Sequence, residues 1–132
     1  MMNLLEHLPQ HNHVLGIAER VKAKFPNPKG KCEFMSKELA KALNNAGIRA
    51  EHVMGNFHLD APGAFEYLSP EDEEGGDEYI VSHDWVNVEG KVLDISAKQF
   101  QQYVHVPITD IVYIGYADPL HNYYEELGHA NS

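Results

Sequence analysis

Hydrophobic positions recur at helical spacing in the first third of the chain and then change to strand-like alternation. Over residues 11–25, Val14, Ile17, Ala18, Val21 and Phe25 fall on one helical face, Asn12 stands where an N-cap belongs, and Pro26 follows the end. A second stripe of Met35, Leu39, Ala42, Leu43 and Ala46 predicts a helix from Cys32 to Ala46. Gly47 then sits in the usual C-cap place. From Ile48 to His58 the pattern becomes β-prone and roughly alternating, which predicts a strand. Leu59 to Asp77, with Pro62, Gly63, Pro70, Gly75 and Gly76, predicts a long loop.

The strongest local signal follows. Glu78 to Val88 and Lys91 to Ser96 are strand-like runs separated by Glu89-Gly90, the pattern of a β-hairpin. Ala97 to Gln102 predicts a short helical turn. Tyr103 to Tyr116 predicts one or two strands interrupted at Pro107, and Asp118 to Leu127 a short closing helix. His129 to Ser132 is expected to fray. Two helices followed by a meander of four or more strands give an α+β fold, with N-terminal helices packed on an antiparallel β-sheet. The 132 residues suit a single domain spanning 1–132.

The hairpin makes a geometric prediction. If Glu89 and Gly90 are the loop, Val88 faces Lys91, Trp85 faces Asp94 and His83 faces Ser96. Opposed residues and alternate residues project to the same face. His83, Trp85, Asp94 and Ser96 then share a face, with His83 and Asp94 as diagonal neighbours, while Asp84 points the other way. A three-residue loop would send Asp94 to the opposite face.

That pairing bears on the one cysteine in the chain, Cys32, which the helix pattern puts at a helix N-terminus. Unpaired backbone N–H groups and the helix dipole there favour negative charge and lower a thiol's pKa. A histidine can take the thiol proton, and a carboxylate on the other ring nitrogen fixes the tautomer. The backbone N–H of Cys32 is placed to hold a tetrahedral oxyanion. Cys32, His83 and Asp94 are therefore the candidate catalytic residues. The structural alternative is a small buried thiol that only packs, beside a hydrogen-bonded core histidine.

Composition narrows the classes of partner. The formal net charge of −10 argues against nucleic acid and anionic membrane. Six of the eight residues from Glu71 to Glu78 are acidic, which reads as a solvated loop; their spacing does not match an EF-hand calcium loop. A lone cysteine forms no internal disulfide, and the first residues lack the basic and apolar regions of a signal peptide. The expected location is cytoplasmic. No cofactor or metal is expected. Zinc held by Cys32, His52, His58 and His83 is the metal alternative, but no short paired-ligand motif supports it.

Three blocks of the chain also resemble a known family. Gly30-Lys31-Cys32 at a helix start, Gly47-Ile48-Arg49-Ala50 with Val53 and Gly55, and His83-Asp84-Trp85-Val86-Asn87-Val88 followed by Val92-Leu93-Asp94 are similar to segments of the transglutaminase-like superfamily. The resemblance covers roughly Gly30 to Ser96 and implies a papain-like cysteine-protease fold with a Cys32–His83–Asp94 triad. Asp84 stands where a small residue is usual in that family. Its papain-like members often carry an oxyanion-hole glutamine ahead of the cysteine; here only Asn27 is available. Asn27 and Trp85 are the candidate substrate-cleft residues. The expected function is a cysteine-dependent hydrolase acting on a peptide or protein amide through a thioester. The alternatives are a protein-glutamine acyltransferase, a cell-wall amidase, and a catalytically inactive binding module of the same fold.

Overall fold

In the computed structural model, which describes residues 2–27, 31–61 and 79–129, the chain forms two α-helices followed by a five-stranded antiparallel sheet. The α+β class read from the sequence is therefore correct. Helix α1 spans Met2–Ala23 and α2 spans Cys32–Asn45. The strands are β1 (Ala50–His58), β2 (Ile80–Val88), β3 (Lys91–Asp94), β4 (Val112–Ile114) and β5 (Tyr124–His129). Their order across the sheet is β4-β3-β2-β1-β5. The first four form the expected meander, and β5 returns along the free edge of β1. No helix among the described residues is long and apolar enough to cross a membrane.

Strand alternation divides the core in two. Val86, Val88 and Leu93 project to one face, where α1 (Val14, Ile17, Ala18, Val21) and α2 (Met35, Leu39, Leu43) cover them. Phe57, Val81 and Val112 project to the other face. There they pack against Ala97 and Phe100 of a 3-10 helix (Ala97–Tyr103) and against Leu120. Val53, Trp85 and Val92 form a smaller cluster on that second face. The apolar stripes predicted for α1 and α2 are thus the faces that meet the sheet, at the hydrophobic gain expected for apolar area removed from water.

Helix α2 ends as the sequence predicts. Gly47 has φ 82°, and Ile48 N–H donates to Leu43 O at 2.9 Å, closing the last turn. Asn44 then ties the helix to the sheet: its Oδ1 accepts from Ala50 N–H at 3.1 Å and its Nδ2 donates to Ala50 O at 3.0 Å. The β2–β3 turn is a two-residue loop, with Val88 opposite Lys91 and Val86 opposite Leu93. Glu89 and Gly90 both have positive φ, at 53° and 78°, the signature of a turn whose twist matches the flanking strands.

Two expectations need correction. Asn12 lies inside α1, which begins ten residues earlier at Met2, so it caps nothing. Between Tyr103 and Tyr116 one strand forms, β4, within the one or two expected. The preceding loop is held by Gln101, which accepts from Ile108 N–H at 2.6 Å and donates to Val104 O and Val106 O at 3.2 and 3.1 Å. The closing helix is confined to the first half of its expected span. A short 3-10 turn, Pro119–Tyr123, is capped by Asp118, and the chain then extends as β5 to pair with β1. The backbone groups along the outer edge of β1 gain a ladder partner this way, which a helix could not supply. The acidic run Glu71 to Glu78 and most of the long loop lie outside the described residues.

Gly55 of β1 is demanded by close approach. A Cβ there would sit 2.2 Å from Glu125 O and 2.5 Å from a ring carbon of Trp85. Gly55→Ala is expected to destabilise the fold by about 2–4 kcal/mol, since neither the β5 backbone nor a buried indole can yield cheaply; urea unfolding measures it. Glu89→Asn should act in the opposite sense, adding about 0.5 kcal/mol by relieving a left-handed β-carbon residue in the turn. An unchanged midpoint for both would contradict this packing and turn geometry.

Candidate active site

The site is assembled from β2 outward. His83 and Trp85 project from the same face of β2, and continuing the β2–β3 register puts Asp94 opposite Trp85. His83 Nε2 and Asp94 Oδ2 are 2.6 Å apart. Both side chains are fully enclosed, at 0% and 1% exposure. The imidazole is held edge-on between Phe100 and Phe57, with ring centroids 5.0 and 5.8 Å away and planes nearly perpendicular. These contacts lock its rotamer without offering it a hydrogen bond.

Asp94 is saturated by donors. Besides His83, its Oδ1 accepts from Ser96 N–H at 2.9 Å and Ser96 Oγ at 3.1 Å, and its Oδ2 accepts from the Tyr124 hydroxyl at 2.8 Å. Burial pushes this carboxyl up, but the His83 charge and hydrogen bond, aided by Ser96 and Tyr124, outweigh burial and hold it below the ordinary carboxylate value. His83 is the mirror case. Burial disfavours its charged form, yet the Asp94 charge and hydrogen bond, with a smaller contribution from Cys32, raise it to about 10. The pair is therefore an imidazolium–carboxylate pair at neutral pH.

The other ring nitrogen, Nδ1, is buried and has no hydrogen-bond partner among the described residues. An orphaned imidazole nitrogen in a packed interior is uncommon. Cys32, partly buried, is the first residue of α2. Its thiol lies near enough to the ring to raise it, without closing a hydrogen bond of normal geometry to Nδ1. Lys31, the N-cap, makes no side-chain capping bond, so the first N–H groups of α2 are not consumed by one.

The remaining sequence candidates fare differently. Trp85 is 3% exposed and packs against Tyr124, ring centroids 5.0 Å apart; it is a core residue beside His83 and not a cleft wall. Asn27 is exposed, and no hydrogen bond joins it to His83 or Asp94. Asp84 points away from His83, as alternation requires, and pairs with His52 at 2.5 Å on the opposite face. The zinc set is not gathered. His52 pairs with Asp84, His58 with Glu125 and His83 with Asp94, and no cluster among the described residues could hold a metal ion.

Ser96 and Tyr124 are the site residues that sequence reasoning missed as partners of Asp94. Ser96 was placed on the right face, and the signal for its bond is local: a Ser two residues after an Asp that ends a strand. Tyr124 carried no such signal, because it arrives on a strand read as helix.

The linkage between this pair and stability has a definite sign. His83 has a raised pKa, so its contribution is full below the unfolded value of ~6.5 and is lost as pH climbs to about 10. Asp94 has a lowered pKa, so its contribution is present above the unfolded value of ~3.9 and is lost as pH falls below it. The stability difference between the native chain and His83→Gln should peak between about pH 4 and 6.5 and shrink steadily toward about pH 10. Urea unfolding across that range measures it, and a difference that grows above neutrality would contradict the ion pair.

Compared with protein-family models, with curated proteins and with solved structures, the chain finds no match in any of the three, so its chemistry is read from the site alone.

Proposed function

We propose that the protein is a small cysteine hydrolase of the transglutaminase-like kind, with a papain-like arrangement of Cys32, His83 and Asp94, acting on amide bonds of a peptide or protein. The observation that carries this reading is the buried His83–Asp94 pair, whose other ring nitrogen has no hydrogen-bond partner among the described residues while the thiol at the start of α2 influences the same ring. A structural core histidine normally has both nitrogens engaged or one exposed to water.

The chemistry follows from the parts. In the reacting form Cys32 is the thiolate beside the His83 imidazolium, the thiol proton being the one the ring already holds at neutral pH. The sulfur attacks the amide carbonyl carbon, and the resulting oxyanion is held by backbone N–H groups at the start of α2, including that of Cys32. His83 gives its proton to the amine nitrogen as the C–N bond breaks, leaving a thioester on Cys32. Water, deprotonated by His83, attacks that thioester and releases the acid and the thiol. Asp94 remains ionised throughout and fixes the ring.

Iodoacetamide titration tests the reading. At about pH 6, Cys32 should alkylate at least ~10-fold faster than a free thiol with a pKa of ~8.5. His83→Ala should restore free-thiol behaviour, and Cys32→Ala should take no label. On a panel of amides and γ-glutamyl donors, Cys32→Ala and His83→Ala should each lose at least ~100-fold in turnover. Adding a primary amine to the panel separates hydrolysis from acyl transfer. Alkylation that is ordinary and indifferent to His83→Ala would sink the proposal.

A further inference from the structure

The C-terminal strand delivers Tyr124 to the far side of the carboxylate. Its hydroxyl donates to Asp94 Oδ2 at 2.8 Å, the same oxygen that meets His83 Nε2 at 2.6 Å. Reaching it requires the ring to cross the sheet face from β5 over β1. The ring is steadied there by edge contacts with Phe57 and Trp85, each with centroids 5.0 Å away.

We infer that Tyr124 is a positioning residue of the site: its hydroxyl, shared on one carboxylate oxygen with His83, sets the direction and proton affinity of the Asp94–His83 pair. The inference rests on the Cys32–His83–Asp94 reading for its meaning, but not for its measurement.

The argument is one of charge distribution. A carboxylate oxygen that accepts two strong donors has less electron density for either. Tyr124 cannot take the proton's place as an acid, since burial first and the Asp94 charge second push its own ionisation well above the ordinary phenol value. It stays a neutral donor at every pH at which the pair is charged. By drawing on Oδ2 it keeps Asp94 a weak base, so that the proton on Nε2 stays with the imidazole. It also blocks the carboxylate from swinging toward solvent. The titratable groups bearing on the pair are few: Asp94 and Cys32 act on His83, and His83 and Tyr124 act on Asp94, with the Ser96 N–H and hydroxyl as neutral donors.

Tyr124→Phe keeps the ring contacts and removes only the donor. The readout is the His83 ring itself, followed by nitrogen-edited NMR, with its signals identified by their absence in His83→Gln. Removing the donor should raise the His83 titration midpoint by about half to one pH unit and move the Nε2–H proton to lower field. The control is Tyr123→Phe, which loses a comparable bond, Tyr123 to Asp60 at 2.7 Å, and should leave both signals where they are. A folded Tyr124→Phe with an unchanged midpoint and unchanged Nε2–H overturns the inference. If Tyr124→Phe does not fold, the unaltered protein decides. Its Tyr124 hydroxyl should give a slowly exchanging proton resonance with a nuclear Overhauser effect to the His83 ring, and its absence overturns the inference. Neither measurement uses turnover. If Cys32 alkylation proves indifferent to His83, the hydrolase reading falls while the Tyr124 coupling is still judged on the ring.

Discussion

A carboxylate with almost none of its surface open to water sits between β3 and the turn that follows it, and the rest of the site is arranged to make that tolerable. An unpaired buried charge would cost several kcal/mol even after relaxation of its surroundings, roughly the whole stability of a small domain. Asp94 is instead met by His83 from β2, Ser96 from the next turn and Tyr124 from β5. Those donors come from three separate parts of the chain. The Ser96 bonds are local, whereas His83 is brought in by the two-residue β2–β3 loop and Tyr124 by the observed pairing of β5 with β1. The carboxylate is thus a constraint on topology: an alternative register would strand a charge.

The same constraint explains the unusual density of rings on that face. Phe57, Phe100, Trp85 and Tyr124 surround His83 within 6.4 Å centroid to centroid. They exclude water, which strengthens the ion pair, and they hold the imidazole by shape alone. Gly55 is the vacancy that admits the indole. Apolar packing and ion pair support each other, since neither holds its geometry once the other is lost.

How much of this was legible depends on the range of the interaction. The hairpin is local, and its loop chemistry, Glu89-Gly90 between alternating runs, is enough to put His83 and Asp94 on a shared face. The start of α2 at Cys32 was equally readable from the stripe through Met35, Leu39 and Leu43. Tyr124 was not. Leu120, Tyr123, Tyr124 and Leu127 fall at i, i+3, i+4 and i+7, the spacing of a helix face, and only the unpaired edge of β1, some seventy residues earlier, turns that stretch into a strand. Leu127 betrays the mimicry, because it ends 65% exposed. Trp85 misled for a related reason. Sharing a face with His83 says nothing about whether that face is open, and here a layer from Ala97 to Leu120 closes it.

Two His–Asp pairs sit on consecutive residues of one strand, and alternation keeps them apart. His83 meets Asp94 on one face of β2; Asp84 meets His52 on the other. The pairs are alike in length and unlike in setting. Asp84 keeps 16% of its side chain exposed, whereas Asp94 keeps 1%. Water can therefore share the charge of Asp84. Only the pair at His83 combines complete burial, a saturated carboxylate and an orphaned ring nitrogen within influence of a thiol. Asp84, the residue that most departs from the transglutaminase-like pattern, is turned away by the two-residue period of the strand. Its charge therefore faces His52 instead of competing for His83, so that departure leaves the proposed site intact.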